Sequence, residues 1–165
     1  MLWCTERPVL TYIAFAPTSE VVKKTTAYMG TAMYVIRELE DALDDCVASD
    51  STRNDDAVKA LDEAVAFYTG SLEGSAGGSG SGVQFYALAN KRCKNFSTCG
   101  TSGEALTGNS KVNHDIFEEF DRMQQNLSNG SCADARKNKE DIVMFSLNVS
   151  VHSMYVKTET MNSMA

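Results

Sequence analysis

The chain has 165 residues, about one domain's worth at roughly 100–200 residues per domain. With 43% hydrophobic and 22% charged residues it has the composition of a globular protein, not of a disordered or fibrous one, and no apolar run approaches the ~20 residues of a membrane-spanning helix. A net charge of −7, from 15 basic and 22 acidic residues, leaves no basic face for a phosphate backbone and argues against a nucleic-acid partner.

Two prolines in the whole chain leave room for long helices. Residues Leu2 to Phe15 read as an extended N-terminal segment, closed by Pro17. Ser19 is then a candidate N-cap for a first helix to about Cys46. There Val22, Thr26, Met29, Met33, Ile36, Leu39 (or Glu40) and Leu43 step by three and four, the spacing of one buried stripe. A second helix opens near Asn54-Asp55-Asp56, acids suited to a helix N-terminus, and carries Val58, Leu61, Val65, Tyr68 and Leu72. Gly70 to Gly82 holds six of the eleven glycines and reads as a flexible loop. A third helix over about Val83 to Lys94 presents Phe85, Leu88 and Ala89, and a fourth over about Asn113 to Leu127 presents Ile116, Phe120, Met123 and Leu127. The last segment, Ala133 to about Lys157, is rich in β-branched residues from Met144 onward, so a strand competes there. The absence of Gly and Pro from Ala133 onward favours helix. The expected fold is all-α: an antiparallel bundle of about five helices with an extended N-terminal segment and disulfide staples. Its expected limits are a segment over 1–17, a helical domain over 18–157 and a tail over 158–165.

Five cysteines and four Asn-x-Ser triplets bear on the compartment. The triplets begin at Asn95, Asn126, Asn129 and Asn148, against roughly 1.8 expected by chance from 10 Asn and 29 Ser plus Thr. No signal peptide is visible at Met1-Leu2-Trp3-Cys4, so the chain reads as a mature protein, a fragment or one domain of something longer. Cys93 and Cys99 bracket five residues and suit a local disulfide in an oxidising compartment. Cys46 closes the first helix and Cys132 opens the last, so a bridge between them would tie the bundle's ends. Other pairings stay open; Cys4 is left over and would reach an upstream segment or a neighbouring chain. Together these features favour a secreted, periplasmic or cell-surface setting.

Between Glu38 and Glu63 lie ten of the 22 acids, with only Arg53 and Lys59 as bases. Carboxylate-rich surfaces suit hard cations, and equally serve as a solvated acidic corner. The glycine loop lacks the Gly-Lys-[Ser/Thr] end of a phosphate-binding loop and leaves a helix instead of following a strand. There is no G-x-S-x-G, His114 beside Asp115 reads as the solvated start of a helix, and His152 reads as a packed residue. A Cys–His pair would need a thiol that the disulfides consume. No enzyme chemistry is expected.

The block Leu61 to Gly74 (LDEAVAFYTGSLEG), then Tyr86 to Gly100 (YALANKRCKNFSTCG), then Val112-Asn113 opening the next helix, resembles the low-iron-inducible periplasmic protein family of algae, the iron-assimilation proteins. The same domain type is similar to that of algal phytotransferrins. The resemblance covers about Leu61 to Leu127; the first and last helices match in pattern only, and Leu61 stands where the family suggests tryptophan. It implies a secreted or cell-surface domain that binds or concentrates iron(III), with a carbonate-like anion as co-ligand, and no enzyme activity. Within the matching blocks Asp62, Glu63, Tyr68 and Glu73 carry the carboxylate and phenolate oxygens that iron(III) favours, with Tyr86 or Asp115 as donors from other helices. Lys91 or Arg92 would hold the anion. The competing reading is a non-catalytic structural glycoprotein module of a surface assembly or larger complex, docking through Cys4 or the termini. The two differ in whether the acids and tyrosines converge in space.

Overall fold

The structure is a computed structural model that describes residues 9–48, 56–70, 84–102 and 109–162, with side chains described for 19, 22, 26–48, 56–70, 84–102 and 109–147. Five helices make up the described chain: α1 (Val9–Ala48), α2 (Ala57–Thr69), α3 (Phe85–Phe96), α4 (Lys111–Ser128) and α5 (Cys132–Asn162). The expected all-α bundle is the fold observed, with helix over the whole of the segment where a strand competed. The packing of α1 against α2 is antiparallel: Tyr34 stacks on Phe67 while Glu38 faces Glu63. The same holds for α1 and α5, where Glu40 pairs with Lys139 and Cys46 with Cys132. A turn at 129–131, with Gly130 at φ 69°, folds α5 back on α4.

Two boundaries are corrected. The chain is helical from Val9, so the part of the expected extended segment from Val9 to Phe15 belongs to α1, and the expected boundary at 17/18 falls inside that helix. Residues 1–8 lie outside the described residues. A short apolar run does not by itself distinguish strand from helix, and a proline removes one hydrogen bond from a helix whose neighbouring turns continue. The expected boundary at 157/158 likewise falls within α5.

The buried stripe of α1 agrees with the expected one at Leu39 and Leu43 and departs from it toward the N-terminus. Ala32, Val35, Leu39, Ala42 and Leu43 face the core, whereas Val22 (58% exposed), Thr26, Met29 and Met33 (58% exposed) face solvent. Both rows step by three and four along one helix, so periodicity alone could not choose between them. The row that packs is the one lined with alanine, which lets α2 and α5 approach closely. On α2, Leu61 and Tyr68 are buried and Val58 and Val65 half-buried, while Leu72 lies outside the described residues. On α3 and α4 every residue of the two expected stripes is buried. On α5 Ile142 is buried and Phe145 half-buried; the side chains of Val149 and Met154 are outside the described set.

Local chemistry sets the helix ends. Asp56 caps α2 by accepting from the Val58 N–H, and Ser110 caps α4 by accepting from the Asn113 N–H. Gly70 ends α2 at φ 76°, and a Cβ there would come within 2.8 Å of the Gln84 side chain, so both the backbone and the space call for glycine. Both expected disulfides are present. Cys93–Cys99 closes the turn after α3, and Cys46–Cys132 joins the end of α1 to the start of α5 across 86 residues of sequence. Cys4 is among residues 1–8.

Candidate functional site

The core between α2, α3 and α4 is aromatic. The Tyr68 ring lies 6.1 Å from Phe85 and 6.0 Å from Phe120, and Tyr86 meets Phe117 edge-on at 5.8 Å. Inside this shell sits a polar network. Asn113, 1% exposed, accepts from the Tyr68 hydroxyl at 2.7 Å and donates through Nδ2 to the Tyr86 carbonyl at 2.9 Å and to Asn90 Oδ1 at 2.8 Å. Asn90 Oδ1 also accepts from the Ser110 N–H at 2.8 Å, which fixes the cap of α4 against α3. The turn closed by Cys93–Cys99 is pinned alongside: Lys111 N–H donates to the Thr98 carbonyl, and Gly100 N–H to that of Asn109. A buried amide with all its hydrogen-bonding groups engaged specifies one arrangement of its neighbours.

Beside the network opens a cleft of about 140 Å³ lined by Tyr86, Asn109, Asn113, His114 and Phe117. Asn109 Nδ2 donates to the Tyr86 hydroxyl at 3.0 Å, leaving that hydroxyl its own proton to donate. His114, in the first turn of α4, is half-exposed and holds Nε2 3.3 Å from Glu118. Asp115 is engaged by Lys111 at 2.6 Å. Phe117 supplies the apolar wall.

Of the residues expected to hold iron, those that are described do not come together. Asp62 and Glu63 are exposed on α2, while Tyr68 lies on the opposite face, fully buried. Burial, with a smaller contribution from Tyr86, pushes the Tyr68 phenol far above its ordinary range, and its proton is given to Asn113. As a phenolate donor Tyr68 would have to leave the core. Glu73 lies outside the described residues. Among the described residues no three His, Cys, Asp or Glu side chains are grouped as a metal site. Of the described acids of the 38–63 window, Glu40 is paired with Lys139, whereas Glu63 and Glu38 face each other as like charges. Of the expected anion-holding pair, Lys91 is exposed and Arg92 half-buried, with its Nε buried and without a hydrogen-bond partner. His152 is outside the described side chains.

Residue type and spacing do not single out Asn90, Asn109 or Ser110, and mark Asn113 only as the residue that opens the fourth helix. One signal was available. Asn113 stands at the head of the stripe Ile116, Phe120, Met123 and Leu127, and a polar residue in register with a buried stripe must find buried partners. No family model, curated protein or solved structure matches the chain.

Proposed function

We propose that this chain is a non-catalytic extracytoplasmic domain of the iron-assimilation type, which binds iron(III) as cargo at the Tyr86–His114 cleft, with a carbonate-like anion. The observation that carries the reading is the meeting of the resembling blocks: Tyr68, Tyr86, Asn90, the Cys93–Cys99 turn and Asn113 all lie in one network bordering one cleft. Three blocks separated by loops, each contributing to the same polar centre, are what a shared binding site requires. Tyr86 supplies the phenol and His114 the imidazole, donors that iron(III) accepts. The two disulfides suit an oxidising compartment, and no helix among the described residues is long and apolar enough to cross a membrane.

The test is titration of the purified chain with iron(III), with and without bicarbonate, following the visible phenolate-to-iron band and metal stoichiometry. Near-stoichiometric binding is expected, with the band lost in Tyr86→Phe and retained in Tyr34→Phe. Absence of binding in both buffers would sink the iron reading. The remaining reading is then a structural module of a surface assembly. It is favoured by a specific feature, the exposed apolar row Val22, Met29 and Met33 with Tyr34 stacked on Phe67.

A further inference from the structure

The three Asn-x-Ser triplets whose asparagine side chains are described share a motif but occupy different environments. Asn95 lies in the last turn of α3 and Asn129 caps the end of α4; both side chains are exposed. Asn126, three residues before Asn129, is different. Its Nδ2 donates to Asn138 Oδ1 on α5 at 2.8 Å, and Asn138 Nδ2 donates in turn to Glu119 Oε2 at 2.7 Å. Glu119 is 8% exposed and is also bound by Arg122. Asn126 is thus the outer link of a chain of amides that satisfies a buried carboxylate between α4 and α5. The Asn148 side chain is outside the described set and takes no part in the argument.

We propose that Asn95 and Asn129 are the sites of N-linked glycan attachment and that Asn126 stays unmodified in the secreted protein. The inference rests on the extracytoplasmic part of the proposed function and is independent of iron. In the attachment step the asparagine amide nitrogen gives up a proton and bonds to the anomeric carbon of a lipid-linked oligosaccharide. The bond from that carbon to the pyrophosphate breaks, and the lipid pyrophosphate leaves. The nitrogen that must carry the sugar at Asn126 is the atom directed at Asn138, on the inner side of the α4–α5 pair. The modified nitrogen keeps one N–H, but the sugar it carries has to fit where α5 packs on α4. Pushing the helices apart disrupts the Asn126–Asn138–Glu119 links and leaves Glu119 with Arg122 alone, a cost that buried polar groups do not bear cheaply. Chains modified at Asn126 therefore fail to reach the native state and are not exported. At Asn95 and Asn129 the side chains face solvent; Asn95 lies within the turn closed by Cys93–Cys99, and Asn129 in the turn between α4 and α5.

The experiment is to export the whole chain through the secretory pathway of a eukaryotic host. Glycans on the secreted protein are released with an amidase in heavy-oxygen water, and the labelled positions are read by peptide mass spectrometry. Asn95 and Asn129 are expected to be labelled in most molecules and Asn126 to be unlabelled. A second variant, Ser131→Ala, removes the Asn129 triplet; Asn126 is expected to stay unlabelled in it. Labelling of Asn126 at the level of Asn129, or its appearance in Ser131→Ala, would overturn the assignment, as would unmodified Asn95 and Asn129. Iron titration of the same preparations reports separately on the cargo reading, so failure of either is recognised without the other.

Discussion

Asn113 does at the residue scale what no apolar residue in its place would do. Its side chain joins α2, α3 and α4 through three hydrogen bonds, and all three partners are inside the core or at its edge. Truncation in Asn113→Ala leaves the Tyr68 hydroxyl without its acceptor and takes one donor each from the Tyr86 carbonyl, which stays in the α3 ladder, and from Asn90 Oδ1, which Ser110 still serves. A buried polar group left without partner or water costs roughly 1–3 kcal/mol. Denaturant unfolding should show a loss of about 3 kcal/mol, well beyond a surface substitution. Tyr68 illustrates a limit of reading donors from residue type. A phenol is an oxygen donor that iron(III) accepts, yet the position of Tyr68 on the buried face of α2 commits that oxygen to the protein's own network. Tyr86, one helix away, is buried too, but its hydroxyl is engaged by Asn109 in the lining of the cleft. Nothing in the local sequence separates these two tyrosines.

At the scale of elements, the α1–α2 pair sets two carboxylates against each other. Desolvation first, then the charge of Glu63, raises the Glu38 carboxyl above its ordinary range, with Asp41 adding and Arg37 opposing. A carboxyl whose folded pKa lies above its unfolded value opposes folding when ionised, and that opposition is relieved as pH falls through the folded pKa. Glu38→Gln should therefore raise Tm at pH 7 and flatten the gain in stability that the parent chain shows on mild acidification. Thermal melts of both proteins across that pH range check it. The same helix pair shows how far hydrophobic pattern reaches. On α4 only one apolar row exists, and the expected residues are the buried ones. On α1 there are two rows in the same period, and the row of valine and methionine lost to the row containing Ala32 and Ala42. Pattern measures what is apolar; packing rewards what fits.

Over the whole molecule the disulfides divide the work unequally. Cys93–Cys99 holds a local turn, and Cys46–Cys132 ties α1 to α5 across most of the chain. Loop-closure entropy assigns the 86-residue span about 4–5 kcal/mol and the six-residue one about 2 kcal/mol. The paired substitution Cys46→Ala with Cys132→Ala should accordingly cost roughly twice what Cys93→Ala with Cys99→Ala costs, as read by urea unfolding. A reversed order would mean that the short bridge supports the Asn90–Asn113 network beyond its own loop.

Helix content, the positions of α2 to α4 and both cysteine pairings were legible in the sequence because each rests on short-range rules. These are three- and four-residue apolar steps, a capping Asp or Ser, a glycine at a helix end, and cysteines placed at element boundaries. Helical spacing alone already separates Asp62 and Glu63 from the Tyr68 face. Which residues of the N-terminal half of α1 turn inward, which tyrosine hydroxyl meets the cleft lining, and which Asn-x-Ser amide is already occupied were decided only by tertiary structure. The physical reason is common to all of them. A side chain's burial and its hydrogen-bond partner depend on the helix packed opposite, and that neighbour is set by close packing between segments distant in the chain.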